Sequence, residues 1–171
     1  MKNMEKYNNV LKEFLDIIPL ENKIFYEELA NKAIILGYVP TRDKTKCISI
    51  SFRNNKSKYT IMKFAEETLN GFQFKFSANK NYSKIFEESI KERNKIIRKK
   101  YAEKYNIKTN VTCFRCVNCG NVKKLFYSIR LDNGEKYILC GSWIHINSIS
   151  KEIVDEAGKM MKIQHEKICE E

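Results

Sequence analysis

Four of the chain's six cysteines, Cys113, Cys116, Cys119 and Cys140, fall within 28 residues, and three of them share the run CFRCVNCG. Thiolates that share one tetrahedral metal must converge to about 2.3 Å from a single point, which requires a tight turn. Cys116-Val-Asn-Cys119-Gly120 has the form of such a turn, with amides facing the sulfurs and a glycine relieving the bend. Downstream, KKLFYSIRL (123–131) and EKYILC (135–140) flank Asp132-Asn133-Gly134. Two alternating segments around that tripeptide predict a β-hairpin. The hairpin brings the chain back to Cys140-Gly141, a second knuckle. An isolated hairpin buries too little surface to hold itself, so this segment needs a staple. No apolar h-region follows the polar start MKNMEKYNNV. Without a secretion signal the staple is not expected to be a disulfide framework, and a cytoplasmic setting is expected.

On these residues the segment 111–146 resembles a degenerate zinc ribbon. That resemblance implies a structural zinc ion held by thiolates, with no open position for water. A full ribbon would carry another cysteine three residues after Cys140, but position 143 is Trp. The implied ligands are therefore Cys113, Cys116, Cys119 and Cys140, with His145 as the alternative fourth. Other readings stay open. An iron–sulfur cluster fits the Cys-x2-Cys-x2-Cys run, yet its usual fourth cysteine followed by Pro is missing. A redox dithiol lacks a surrounding βαβ pattern. Four reduced thiols with no metal complete the set.

The rest of the chain reads as helices and strands in alternation. Residues 4–18 place Tyr7, Leu11, Phe14 and Ile18 on one helical stripe that Pro19 ends. A second amphipathic helix spans 26–36, with Leu29, Ala30 and Ala33 inward and Gly37 as its stop. Segments 58–65 and 71–77 alternate as strands. A long helix is expected from Ser83 to about Tyr105, with Arg98, Lys99 and Lys100 on its exposed side. A last helix begins near Ser150 and buries Ile153, Val154, Ala157, Met161 and Ile168. The fold class is α+β. Three parts are expected: a module over 1–80, a basic connecting helix over 81–108, and the cysteine hairpin with the C-terminal helix over 109–171.

Between the second helix and the strands, residues 24–64 resemble winged helix-turn-helix domains, the HARE type among them. The resemblance implies a recognition helix from near Thr41 to Arg53, with 58–65 and 71–77 as the wing. It assigns Arg42, Lys44, Lys46, Ser49 and Arg53 to DNA from that helix, and Lys56 and Lys58 to the base of the wing. Local composition pulls the other way, because Cys47-Ile48-Ser49-Ile50-Ser51-Phe52 is a poor helix and a good strand. If it is a strand, 46–77 form a three-stranded meander packed on helices.

Net charge is +11, from 32 Lys and Arg against 21 Asp and Glu. Such an excess favours a polyanionic partner through counterion release, although Lys-rich composition also serves solubility. No phosphate-cradling glycine loop, nucleophile elbow or His-Glu-x-x-His helix is present, and no base can be paired with a cysteine from sequence. A non-enzyme is expected. The leading expectation is a small intracellular nucleic-acid-binding protein, acting on duplex DNA and possessing a structural zinc. The second is a protein-interaction module, such as a phage- or plasmid-borne inhibitor of a host nucleoprotein complex. A third is a small-molecule site lined by Phe126, Tyr127, Tyr137 and Trp143. No membrane partner is expected, since apolar runs such as AIIL are far too short to span a bilayer.

Overall fold

Helix α1 (Lys2–Leu15) is an amphipathic segment whose apolar stripe buries Leu11 and Phe14. The computed structural model describes residues 2–76, 84, 86–88, 91, 92, 126–130, 136–140 and 143–170. Helix α1 ends at Leu15, three residues short of the expected bound, and Pro19 has another role. With φ −54 and ψ 141 it is the N-cap of α2 (Leu20–Ile35), which therefore starts six residues before the stretch singled out by periodicity. A proline here loses no intrahelical bond. Gly37, at φ +83, then turns the chain into β1 (Tyr38–Arg42). Left-handed backbone of this kind favours glycine.

Four strands follow as an antiparallel meander: β1, β2 (Ser49–Asn54), β3 (Thr60–Ala65) and β4 (Phe72–Phe74). A short 3-10 turn, Glu66–Thr68, links β3 to β4. Far along the chain, β7 (Ile144–Ile146) joins the same sheet beside β4, giving the order β1-β2-β3-β4-β7. Gly71 makes this approach possible, because a Cβ there would overlap the carbonyl oxygen of Ile146. Pro40 sits in β1 opposite Phe52, and β1 is an edge strand, so its missing N–H breaks no central ladder.

Residues 41–53 are thus the end of β1, a turn and β2, and the recognition helix implied by the winged-helix resemblance is not formed. The cause is local: β-branched and aromatic residues alternate at Ile48, Ile50 and Phe52, and the sheet buries Ile50 and Phe52 completely. The three-stranded meander is the form taken, as β2, β3 and β4 between Ser49 and Phe74. The α+β class and the C-terminal helix stand as expected.

Register divides the sheet into two faces. Pro40, Phe52, Met62 and Phe74 form one cross-strand row, and Ile50 pairs with Phe64 on the same side. Helices α1 and α2 lie against this face, packing on β1 and, for α1, on β2. At its centre Phe64 meets Phe14, Tyr26 and Phe52, with ring centroids 5.4, 4.9 and 4.9 Å away. The Tyr26 hydroxyl reaches the carbonyl oxygens of Leu69 and Gly71 at 2.9 and 2.8 Å. That anchors the β3–β4 connection to α2, and burial raises the phenol above its ordinary pKa. The opposite face carries the polar row Thr41, Ser51, Lys63 and Gln73.

The C-terminal helix α3 (Lys151–Glu170) buries Ile153, Val154, Ala157, Met160, Met161 and Gln164, and packs against α2. Ile168 is only half-buried. This helix, grouped by sequence order with the cysteine hairpin, belongs instead with the N-terminal elements. One compact unit comprises 1–78 and 145–171, and the other comprises 79–144. Within the second, β5 (Phe126–Arg130) pairs antiparallel with β6 (Lys136–Cys140), as the turn signal between them predicts. Of the long helix expected over 83–105, residues 84, 86–88, 91 and 92 are helical. Arg98, Lys99 and Lys100 lie outside the described residues.

Candidate functional site

The residues assigned to DNA from sequence divide into structural and exposed groups. Arg42 is a fastener. Its Nε lies 3.2 Å from Glu13 Oε2 on α1, and its Nη1 donates to the carbonyls of Asp43 and Cys47 at 2.9 and 3.1 Å. Ser49 is buried, and its hydroxyl donates to Asp43 Oδ2 at 2.6 Å. The same oxygen accepts from Ser51 Oγ at 3.1 Å and lies 3.0 Å from Lys63 Nζ. Asp43 therefore ties the β1–β2 turn to the polar row of the sheet.

Burial raises the Asp43 carboxyl, but the hydrogen bonds from Ser49, Lys63 and Ser51 outweigh it and hold the group below the usual carboxylate range. A depressed folded pKa stabilises above the unfolded value and loses that contribution as pH falls through the folded one. Lowering pH from about 5 to about 3, across the ordinary aspartate range, is expected to lower the urea midpoint. Asp43→Asn should flatten this fall relative to the unsubstituted protein. An equal fall in both proteins would refute the assignment.

Lys44 and Lys46 are exposed on the β1–β2 turn, whereas Lys56 and Lys58 are exposed on the β2–β3 turn. Arg53 is also exposed, and its Nε donates to the Lys58 carbonyl at 3.2 Å, bracing a residue at φ 58. The two turns stand at opposite ends of β2, about 17 Å apart at roughly 3.4 Å per residue. The structure therefore does not gather these seven residues on one reading element.

Of the cysteine ligand set, Cys113, Cys116 and Cys119 lie outside the described residues. Cys140 is the last residue of β6 and pairs with Phe126, the first residue of β5. It therefore stands at the open end of the hairpin, where the chain enters seven residues after Cys119. His145 is the middle residue of β7, half-buried in the five-stranded sheet. Among the described residues no group of three or more His, Cys, Asp or Glu side chains is placed to hold a metal ion. Among them, too, no helix is long and apolar enough to cross a membrane.

A second cluster escaped the sequence reading. His165 and Cys169 are one helical turn apart on α3, and Cys169 Sγ lies 3.6 Å from His165 Nε2. The other ring nitrogen, Nδ1, lies 3.3 Å from the hydroxyl of Tyr38 on β1, and the two rings meet edge-on at 5.6 Å. Burial, aided by the neighbouring Cys169, pushes the Tyr38 phenol up to about 12. The His-x-x-x-Cys spacing was the available signal, since residues four apart share a helix face. Cys169 opens onto a cavity of ≈ 650 Å³ whose lining includes Gly37, Asn54, Lys56 and Ser57.

No family model, curated protein or solved structure matches the chain.

Proposed function

We propose that the chain is a nucleic-acid-binding protein whose contact surface lies in the basic unit 79–144, with duplex DNA as its partner. The observation that carries this is charge segregation between the two units. Residues 79–144 hold 15 Lys and Arg against 6 Asp and Glu, a net +9. The remaining residues hold 17 against 15, a net +2. A solubility device would spread its charge, whereas a polyanion-binding surface concentrates it. The α+β unit is then the scaffold, and Arg42 and Ser49 serve its turn rather than DNA.

Zinc belongs to the same proposal. The Cys-x2-Cys-x2-Cys-Gly run and the register that sets Cys140 at the open end of the hairpin support Cys113, Cys116, Cys119 and Cys140 as its ligands. Bound there, zinc would cross-link the hairpin to the preceding chain.

Titration of a fluorescent random-sequence duplex at two salt concentrations tests the reading. Micromolar binding that weakens steeply with salt is expected. Replacing Arg98, Lys99 and Lys100 by Ala should reduce the slope of log affinity against log salt by about 3. The same change at Lys44, Lys46 and Lys56 should leave it unaltered. Absence of binding at low salt, or loss through the second set alone, would overturn the proposal and turn attention to a protein partner.

A further inference from the structure

We propose that Cys169 is a reactive thiol, served by His165 as base, that exchanges with low-molecular-weight disulfides. The geometry supplies the three parts such chemistry needs: a nucleophile, a base within reach and a group that orients the base. Sulfur hydrogen bonds are long, and 3.6 Å between Cys169 Sγ and His165 Nε2 lies within their range. In the tautomer protonated on Nδ1, that nitrogen donates to the Tyr38 hydroxyl oxygen, and the Nε2 lone pair faces the thiol. Tyr38 is fully buried in the sheet, so this contact pins the imidazole from a rigid strand. Tyr38 is thus a positioning residue.

Access comes from the cavity beside the pair. Cys169 is exposed, and the space of ≈ 650 Å³ is ample for a small molecule. Lys56 lines it, and among the described residues no carboxylate does. The expected ligand is therefore a disulfide bearing carboxylates. In the exchange the thiol proton passes to His165 Nε2 as Sγ attacks one sulfur of RS–SR. The Cys169–SR bond forms, the RS–SR bond breaks, and the leaving thiolate takes the proton back as RSH. Cys169 is oxidised and one RS group is reduced, with no other reactant.

Cys47 supplies an internal standard, because it is also exposed. Reduced full-length protein would be mixed with oxidised glutathione, and the mixed disulfide at each cysteine followed by peptide mass mapping. Cys169 is expected to react at least tenfold faster than Cys47. His165→Gln should bring it down to the Cys47 rate, and Tyr38→Phe should slow Cys169 while leaving Cys47 unchanged. A Cys169 rate no greater than that of Cys47 in the unsubstituted protein would overturn the proposal, whatever the variants do. So would a fast Cys169 that is indifferent to His165→Gln.

Discussion

Phe64→Ala is expected to cost about 3–5 kcal/mol of stability, a large part of what a domain of this size possesses. Phe64 is fully buried and is the common neighbour of Phe14, Tyr26 and Phe52. Truncation removes its transfer free energy and leaves a void between α1, α2 and β2. It also breaks three aromatic contacts, each worth roughly 0.5–1.5 kcal/mol beyond burial. Rigid strands on either side limit collapse of the void, which keeps the cost toward the upper end. Urea unfolding read by far-ultraviolet circular dichroism measures it. Thr41→Ala, at an exposed position, is the control and should change stability by less than about 0.5 kcal/mol. A loss below about 1 kcal/mol for Phe64→Ala would mean that the aromatic cluster is not the centre of the core.

Removal of metal by a chelator should act on one unit and spare the other. If zinc holds Cys113, Cys116, Cys119 and Cys140, the amides of β5 and β6 owe their protection to it, because two strands alone are marginal in water. Hydrogen exchange of Phe126–Arg130 and Lys136–Cys140 should then accelerate by several orders of magnitude after chelation. Amides of β2 and β3, central in the five-stranded sheet, should keep their protection. Cys116→Ser is expected to reproduce the effect without a chelator. A hairpin indifferent to both treatments, in protein that holds no zinc by elemental analysis, would sink the metal proposal. General loss of protection would instead tie the sheet to the metal.

Much of the first unit could be read from residue order. Helical spacing identified Leu11, Phe14, Leu29 and Ala33 as inward-facing, and all four are buried. Alternation identified Ile50 and Phe52 as sheet residues, and it was the better guide to 41–53. The helix implied by family resemblance required Ile48, Ile50 and Phe52, strand formers alternating with two serines, to act against their preference. The start of α2 was hidden because Pro19 reads as a stop, whereas the same fixed φ also starts a helix. Placement of α3 was not legible, since its pairing with α2 links segments more than a hundred residues apart. The Cys169–His165–Tyr38 cluster was half legible. The helical pair follows from spacing, but Tyr38 lies 127 residues from His165, and only the fold brings them together. Asp43 was missed as well, because a carboxylate beside a turn looks like an ordinary turn residue until Ser49, Ser51 and Lys63 converge on it.

The division of the first unit between the two ends of the chain has a consequence for its synthesis. Residues 1–78 emerge from the ribosome long before 145–171, at roughly 5–20 residues per second. During those seconds α2 has no α3 to cover it, and the side of β4 that β7 later occupies presents unpaired amides and carbonyls. Such an edge is a template for pairing with another nascent chain. The first unit therefore presents an unpaired strand edge while it is being made, and slow translation through 79–144 would lengthen that exposure.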